Sequence, residues 1–137
     1  MSVIEELIRL EENGTLSFGN YLMDEKKKVL DFEVNGNLYK VKTFKEITKL
    51  EKNGKFLLET VPGAAIHQFS MDDRKTRFKL ESGEDIQVTL ELEPDKEYRV
   101  TVDGVTVGKV KSGVSGKISF SVETGPTFSD VRIEKIV

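Results

Sequence analysis

The chain has no cysteine, no tryptophan, a single histidine and only three prolines in 137 residues. Without cysteine there is no disulfide framework, no thiolate zinc or iron–sulfur site and no cysteine nucleophile. One histidine excludes metal sites built from several imidazoles, and no cofactor is expected. No window approaches the roughly 18 consecutive apolar residues of a membrane helix. The start, Met1-Ser2-Val3-Ile4-Glu5-Glu6-Leu7-Ile8-Arg9, carries two acids and no apolar h-region, so it does not read as a secretory signal, and a cytoplasmic location is the expectation. Charge of one sign is also missing: 21 Lys+Arg stand against 24 Asp+Glu, a net charge of -3. The one basic run, Lys26-Lys27-Lys28, follows Asp24-Glu25 and reads as a solvated turn. Neither a nucleic acid nor a membrane is therefore expected as a partner.

What the chain does contain is hairpin punctuation. Asn13-Gly14, Asn35-Gly36, Asn53-Gly54 and Asp103-Gly104 each lie between strand-like segments. These dipeptides favour type I′ turns, because both central residues need positive φ and the turn then matches the right-handed twist of the strands. Ser82-Gly83, Ser112-Gly113 and Ser115-Gly116 add weaker turns. Alternation of apolar and polar residues fills the intervals, as in Leu30-Asp31-Phe32-Glu33-Val34, Ile86 to Leu92, Tyr98 to Val102, Ile118 to Val122 and Val131 to Glu134. Each segment places one face on a core and one in water.

Strand-like windows fall at about 4–10, 15–22, 29–34, 38–44, 47–52, 55–60, 65–70, 76–80, 86–92, 97–102, 106–110, 117–123 and 129–136, of which ten to twelve are expected to form strands. The expected fold is all-β, an antiparallel β-sandwich or jelly-roll-like unit joined by tight hairpins. Residues 2–10 also fit a helical stripe, and Thr43–Leu50 fits a short helix or bend. The length suits a single β domain, 1–137, that buries roughly two thirds of its unfolded surface. Pro62-Gly63-Ala64-Ala65 marks an internal boundary near 61–65, between an N-terminal hairpin block and a C-terminal sandwich block. An imperfect repeat at an offset of 40 aligns Leu10-Glu11 and Asn13-Gly14 with Leu50-Glu51 and Asn53-Gly54. It reads either as convergence on a good hairpin sequence or as two related hairpins.

Few residues stand out as chemistry. His67, in Ala65-Ile66-His67-Gln68-Phe69, is the one imidazole available as a general base, and alternation puts it on the same face as Phe69. No nucleophile elbow, P-loop, dinucleotide fingerprint or EF-hand loop occurs. The acids Asp72-Asp73, Glu81, Glu84-Asp85, Glu93, Asp95 and Glu97 read most simply as solvated turns and strand faces. Tyr21, Tyr39 and Tyr98 are the candidate rings of a glycan platform, and with His67 they are the candidate ligand-binding residues.

The stretch Glu91 to Gly108, with its Tyr98-Arg99-Val100-Thr101-Val102-Asp103-Gly104 hairpin, followed by Gly116-Lys117-Ile118-Ser119-Phe120, is similar to the terminal strands of β-sandwich modules appended to polysaccharide-acting enzymes. The whole chain, from Glu5-Glu6-Leu7-Ile8-Arg9 and Glu12-Asn13-Gly14-Thr15-Leu16-Ser17-Phe18-Gly19 onward, resembles short clostridial proteins of unknown function, some labelled endosialidase. The Ser-x-Asp-x-Gly-x-Thr-Trp boxes of sialidases do not occur in it. The first expectation is thus a non-catalytic β-sandwich acting through surface interactions, as a homo-oligomer or a binder of a protein partner. A carbohydrate-binding module is the second, and a small carboxylate-based enzyme near His67 the third.

Overall fold

A computed structural model describes residues 3–125 and 127–136. They form two antiparallel sheets and no helix. The strands are β1 (Ile8–Leu10), β2 (Leu16–Phe18), β3 (Lys27–Val34), β4 (Asn37–Phe44), β5 (Ile47–Lys52), β6 (Lys55–Val61), β7 (Ala65–Met71), β8 (Lys75–Glu81), β9 (Ile86–Glu91), β10 (Glu97–Val102), β11 (Val105–Lys111), β12 (Lys117–Val122) and β13 (Ser129–Lys135). One sheet has seven strands in the order β1-β2-β7-β8-β13-β10-β11, and the other has six in the order β12-β9-β6-β5-β4-β3. Thirteen strands exceed the expected ten to twelve, because even the three-residue β1 and β2 pair along the seven-stranded sheet and bury Ile8, Leu16 and Phe18.

The fold is therefore a β-sandwich. Its inner faces share one hydrophobic cluster, which runs from Leu7 to Ile133 and includes Phe18, Leu50, Leu58, Ile66, Phe78, Leu90 and Val100. Residues 62–64 carry the chain from β6 in one sheet to β7 in the other. The helical readings of residues 2–10 and 43–50 are not met: residue 2 lies outside the described residues, residues 3–7 are irregular chain and turn leading into β1 (Ile8–Leu10), and Lys45–Glu46 is a tight turn between β4 and β5.

Three of the four Asn-Gly and Asp-Gly turns have both central residues at positive φ: Asn35 and Gly36, Asn53 and Gly54, Asp103 and Gly104. Asn13-Gly14 differs. Only Gly14 is left-handed, and the loop spans 11–15, closed by the Glu11 N–H donating to the Thr15 carbonyl at 2.8 Å. The two hairpins of the 40-residue repeat thus use different turns and lie in different sheets, which favours convergence. Two bulges shift the alternation. Asp31 (φ 55°) lets Val29 and Phe32 both pack against the core and turns Leu30 out, 60% exposed. Gln68 (φ 56°) does the same in β7, so Ile66 and Phe69 both point inward and His67 faces outward.

One end of the sandwich is tied by buried hydroxyls. The Asn20 N–H donates to Thr43 Oγ1 at 2.9 Å, the Thr43 and Thr48 hydroxyls are 2.8 Å apart, and Thr48 Oγ1 donates to the Ala64 carbonyl at 2.9 Å. Thr48 Oγ1 also accepts the Ala64 N–H at 3.1 Å. Thr60 lies opposite Thr48 and is equally buried, but its hydroxyl has no hydrogen-bond partner among the described residues. Thr48→Val keeps the shape and orphans both Ala64 groups, so it is expected to destabilise the protein by about 2 kcal/mol. Thr60→Val is expected to be neutral or stabilising, since it removes an unpaired buried polar atom. Urea unfolding of both variants checks this, and equal losses would refute it.

Candidate functional site

At the end of the sandwich away from the Thr48 tie, the sheets part around an open cleft of about 570 Å³. A volume of this order suits a small ligand or a few side chains of a partner. The seven-stranded sheet supplies Leu16, Phe69, Tyr98 and Ile133, the six-stranded sheet supplies Val34, Tyr39 and Leu57, and Leu92 follows directly after β9. These make an apolar floor. The rim is charged with both signs: Lys52, Arg74 and Lys75 stand with Asp72, Asp73, Glu91 and Glu93.

The rim is held by local hydrogen bonds. Asp72 Oδ1 accepts the N–H groups of Arg74 (2.8 Å) and Lys75 (2.9 Å), shaping the β7–β8 turn. Those two bonds hold the Asp72 carboxyl below the usual carboxylate range. The Tyr98 hydroxyl accepts the Glu93 N–H at 3.0 Å, pinning the chain after β9 to the wall. Lys135 Nζ is 2.6 Å from Glu93 Oε2, and this bond lowers the Glu93 pKa. Asp72 and Glu93 are therefore occupied by the fold itself. Burial pushes the Tyr39 phenol up, which fits a ring lying partly in the apolar mouth.

The four candidate residues go to three places. Tyr39 and Tyr98 both line the cleft, although Tyr98 is only 4% exposed and presents little ring to solvent. Tyr21 lies at the opposite end, beside Glu81 and close to Gly83, and burial ahead of the Glu81 charge raises its pKa. His67 sits on the outer face of the seven-stranded sheet, edge-on to Phe128 with ring centroids 4.8 Å apart. The three tyrosines thus form no row on one sheet face. Near His67, Glu11 receives hydrogen bonds from the buried Ser17 hydroxyl and from Arg9 Nε (3.1 Å). The Ser17 bond, then Arg9 and the nearby His67, lowers the Glu11 pKa against the effect of burial. Ser17 Oγ also accepts the Gln68 N–H at 3.1 Å, so the cluster braces the β7 bulge. Among the described residues no three histidines or acids converge as a metal-binding set, and no helix is long and apolar enough to cross a membrane.

Sequence reasoning missed Lys52, Leu57, Leu92 and the Arg74–Lys75 pair as cleft residues. The polar run Asp72-Asp73-Arg74-Lys75 between two strands signals a turn, but nothing local says that the turn overhangs a cavity. No protein-family model, curated protein or solved structure matches the chain.

The lowered Asp72 pKa fixes the sign of a pH effect. The ionised carboxylate caps the turn, so its contribution is complete above the usual value of 3.8 and is lost as pH falls through the lowered folded value. Asp72→Ala is expected to be less stable than the parent near neutral pH, and the gap is expected to close on acidification below about pH 4. Urea midpoints measured across that range test it. A gap that does not change with pH would contradict the capping role.

Proposed function

We propose that this protein is a non-catalytic binding module and that the cleft between the sheets is where it binds. The observation that carries the reading is the combination in one place of an apolar floor from both sheets and a rim bearing both signs of charge. Binding sites of this kind gain affinity from burial of an apolar group and orientation from a few polar groups around it. The ligand that fits is an apolar body with polar flanks, either a small molecule or the exposed side chains of a protein partner. A carboxylate enzyme is less well supported: two of the four rim acids are engaged by Lys135 and by backbone N–H groups, and His67 lies on another face. A glycan module is likewise less well supported, because the tyrosines offer no common platform.

The fluorescent amphiphile anilinonaphthalene sulfonate serves as a probe of the cleft. Leu57→Trp fills the floor, and it is expected to weaken probe binding about tenfold, roughly 1.4 kcal/mol. Tyr21→Ala, at the far end, is expected to leave binding unchanged. If the parent protein does not bind the probe, or if Leu57→Trp binds it as well as the parent, the cleft is not the site.

One feature favours self-association as a second reading. Among the described residues β11 is an edge strand paired only with β10, and Val105 and Val107 are 66% and 55% exposed on it. An edge with exposed valines is a template for pairing with another copy. Light scattering at tens of micromolar is expected to show a dimer that Val107→Lys converts to monomer. A parent protein that is already monomeric would remove this reading.

A further inference from the structure

A separate charged feature lies on the outer face of the six-stranded sheet. Lys28 of β3 is the direct register partner of Lys42 of β4, and Lys42 is the direct partner of Lys49 of β5. Three lysines thus stand in one row across three adjacent strands. Neighbouring strands are about 4.8 Å apart, so the row spans roughly 10 Å. Lys26 and Lys40 add charge beside it: with Lys28 and Lys49 they lower the Lys42 pKa, after burial of that amine. Like charges placed directly opposite each other destabilise a sheet. The fold offers little relief. Glu51 lies 3.8 Å from Lys49 Nζ and is the register partner of Lys40, and Glu59 is the next register partner of Lys49, so the acids stand opposite Lys40 and Lys49 but not opposite Lys28 or Lys42. Lys28 and Lys42 have no carboxylate within salt-bridge distance among the described residues.

From this juxtaposition we infer that the Lys28–Lys42–Lys49 row is a binding site for a compact oligophosphate, independent of the cleft. Each lysine is a compact cation with three donors, which suits phosphate oxygens without demanding a bidentate geometry. The row is three strands wide and bordered by Glu51 and Glu59, so it accommodates a short run of anionic groups and not a long polymer. Beyond Glu59 the same row continues into Thr89 and Ser119, whose hydroxyls bond to each other at 2.8 Å. Bound phosphate also removes the mutual repulsion of the lysines, so binding and stability are coupled.

Titration calorimetry with inorganic tripolyphosphate at about 0.15 M ionic strength tests the inference, because weak nonspecific attraction is largely screened there. One ligand is expected per chain, with a rise in melting temperature. Lys42→Gln is expected to weaken binding about tenfold or more, the loss of one charge-assisted contact. Without ligand, the same variant is expected to melt at or above the parent, which shows that the fold is intact and the repulsion relieved. Lys109→Gln with Lys111→Gln on β11 is the control and is expected to bind normally. Absence of binding at this ionic strength, or an equal loss in the control, overturns the site. Tighter binding of a sulfated disaccharide than of tripolyphosphate overturns the assignment to phosphate.

Discussion

The hydroxyl of Thr48 holds together parts of the chain that no strand pairing connects. It donates to the Ala64 carbonyl, accepts the Ala64 N–H, and sits within hydrogen-bond distance of Thr43, which in turn accepts the Asn20 N–H. Hydrogen bonds arranged in such a chain polarise one another in a low-dielectric interior. Through it, β4 and β5 of one sheet grip two of the segments that cross to the other, around Gly19 and around Gly63–Ala64. There is no slack at this crossing. A Cβ on Gly19 would lie 2.3 Å from the Ala64 carbonyl oxygen, and one on Gly63 would lie 2.0 Å from that of Phe44. Gly19 also has φ of 103°, which only glycine adopts easily. Ser82 reinforces the crossing by donating to the Gly63 carbonyl at 2.8 Å. With one end of the sandwich fixed at backbone contact, the cleft falls at the other.

Much of this architecture was legible in the sequence, and the illegible part has a definite cause. Each of the thirteen strand-like windows overlaps a strand, although only ten to twelve were expected to form one, and three Asn-Gly or Asp-Gly pairs make turns with both central residues at positive φ, because period and turn residue are local properties. The bulges at Asp31 and Gln68 were not legible. Each places an ordinary polar residue in a left-handed conformation, and that leaves no mark in composition. Their cost to the reading was specific: Leu30 was expected inward and is exposed, and His67 was expected beside Phe69 and faces the other way. Strand partners were not legible either, since β2 beside β7 and β6 beside β9 pair across long stretches of sequence. The cleft depends on those partners. Leu16, Leu57, Leu92 and Ile133 meet there only once both sheets are assembled.

The charge of the chain follows the same logic. As composition it is nearly balanced, and along the sequence the signs are interleaved. Register undoes that balance. Lys28, Lys42 and Lys49 are not neighbours in sequence but are brought into one row by two consecutive hairpins, while the cleft rim keeps a mixture. A period of two fixes which face each lysine takes, and the turns at Asn35-Gly36 and at Lys45–Glu46 fix which lysines become neighbours.

The position of β13 carries a consequence for the order of assembly. Residues 129–135 form an interior strand of the seven-stranded sheet, pairing with β8 on one side and β10 on the other. Until they are present, that sheet is two separate pieces: β1-β2-β7-β8, and the β10–β11 hairpin. The six-stranded sheet has no such dependence beyond residue 122, and its β3–β6 meander is built from consecutive hairpins. During synthesis on the ribosome the meander has its partners early, whereas the opposing sheet has to wait until residues 129–135 have emerged. Until then the inner face of the meander lacks its full cover on the nascent chain, and the sandwich closes only after β13 is added.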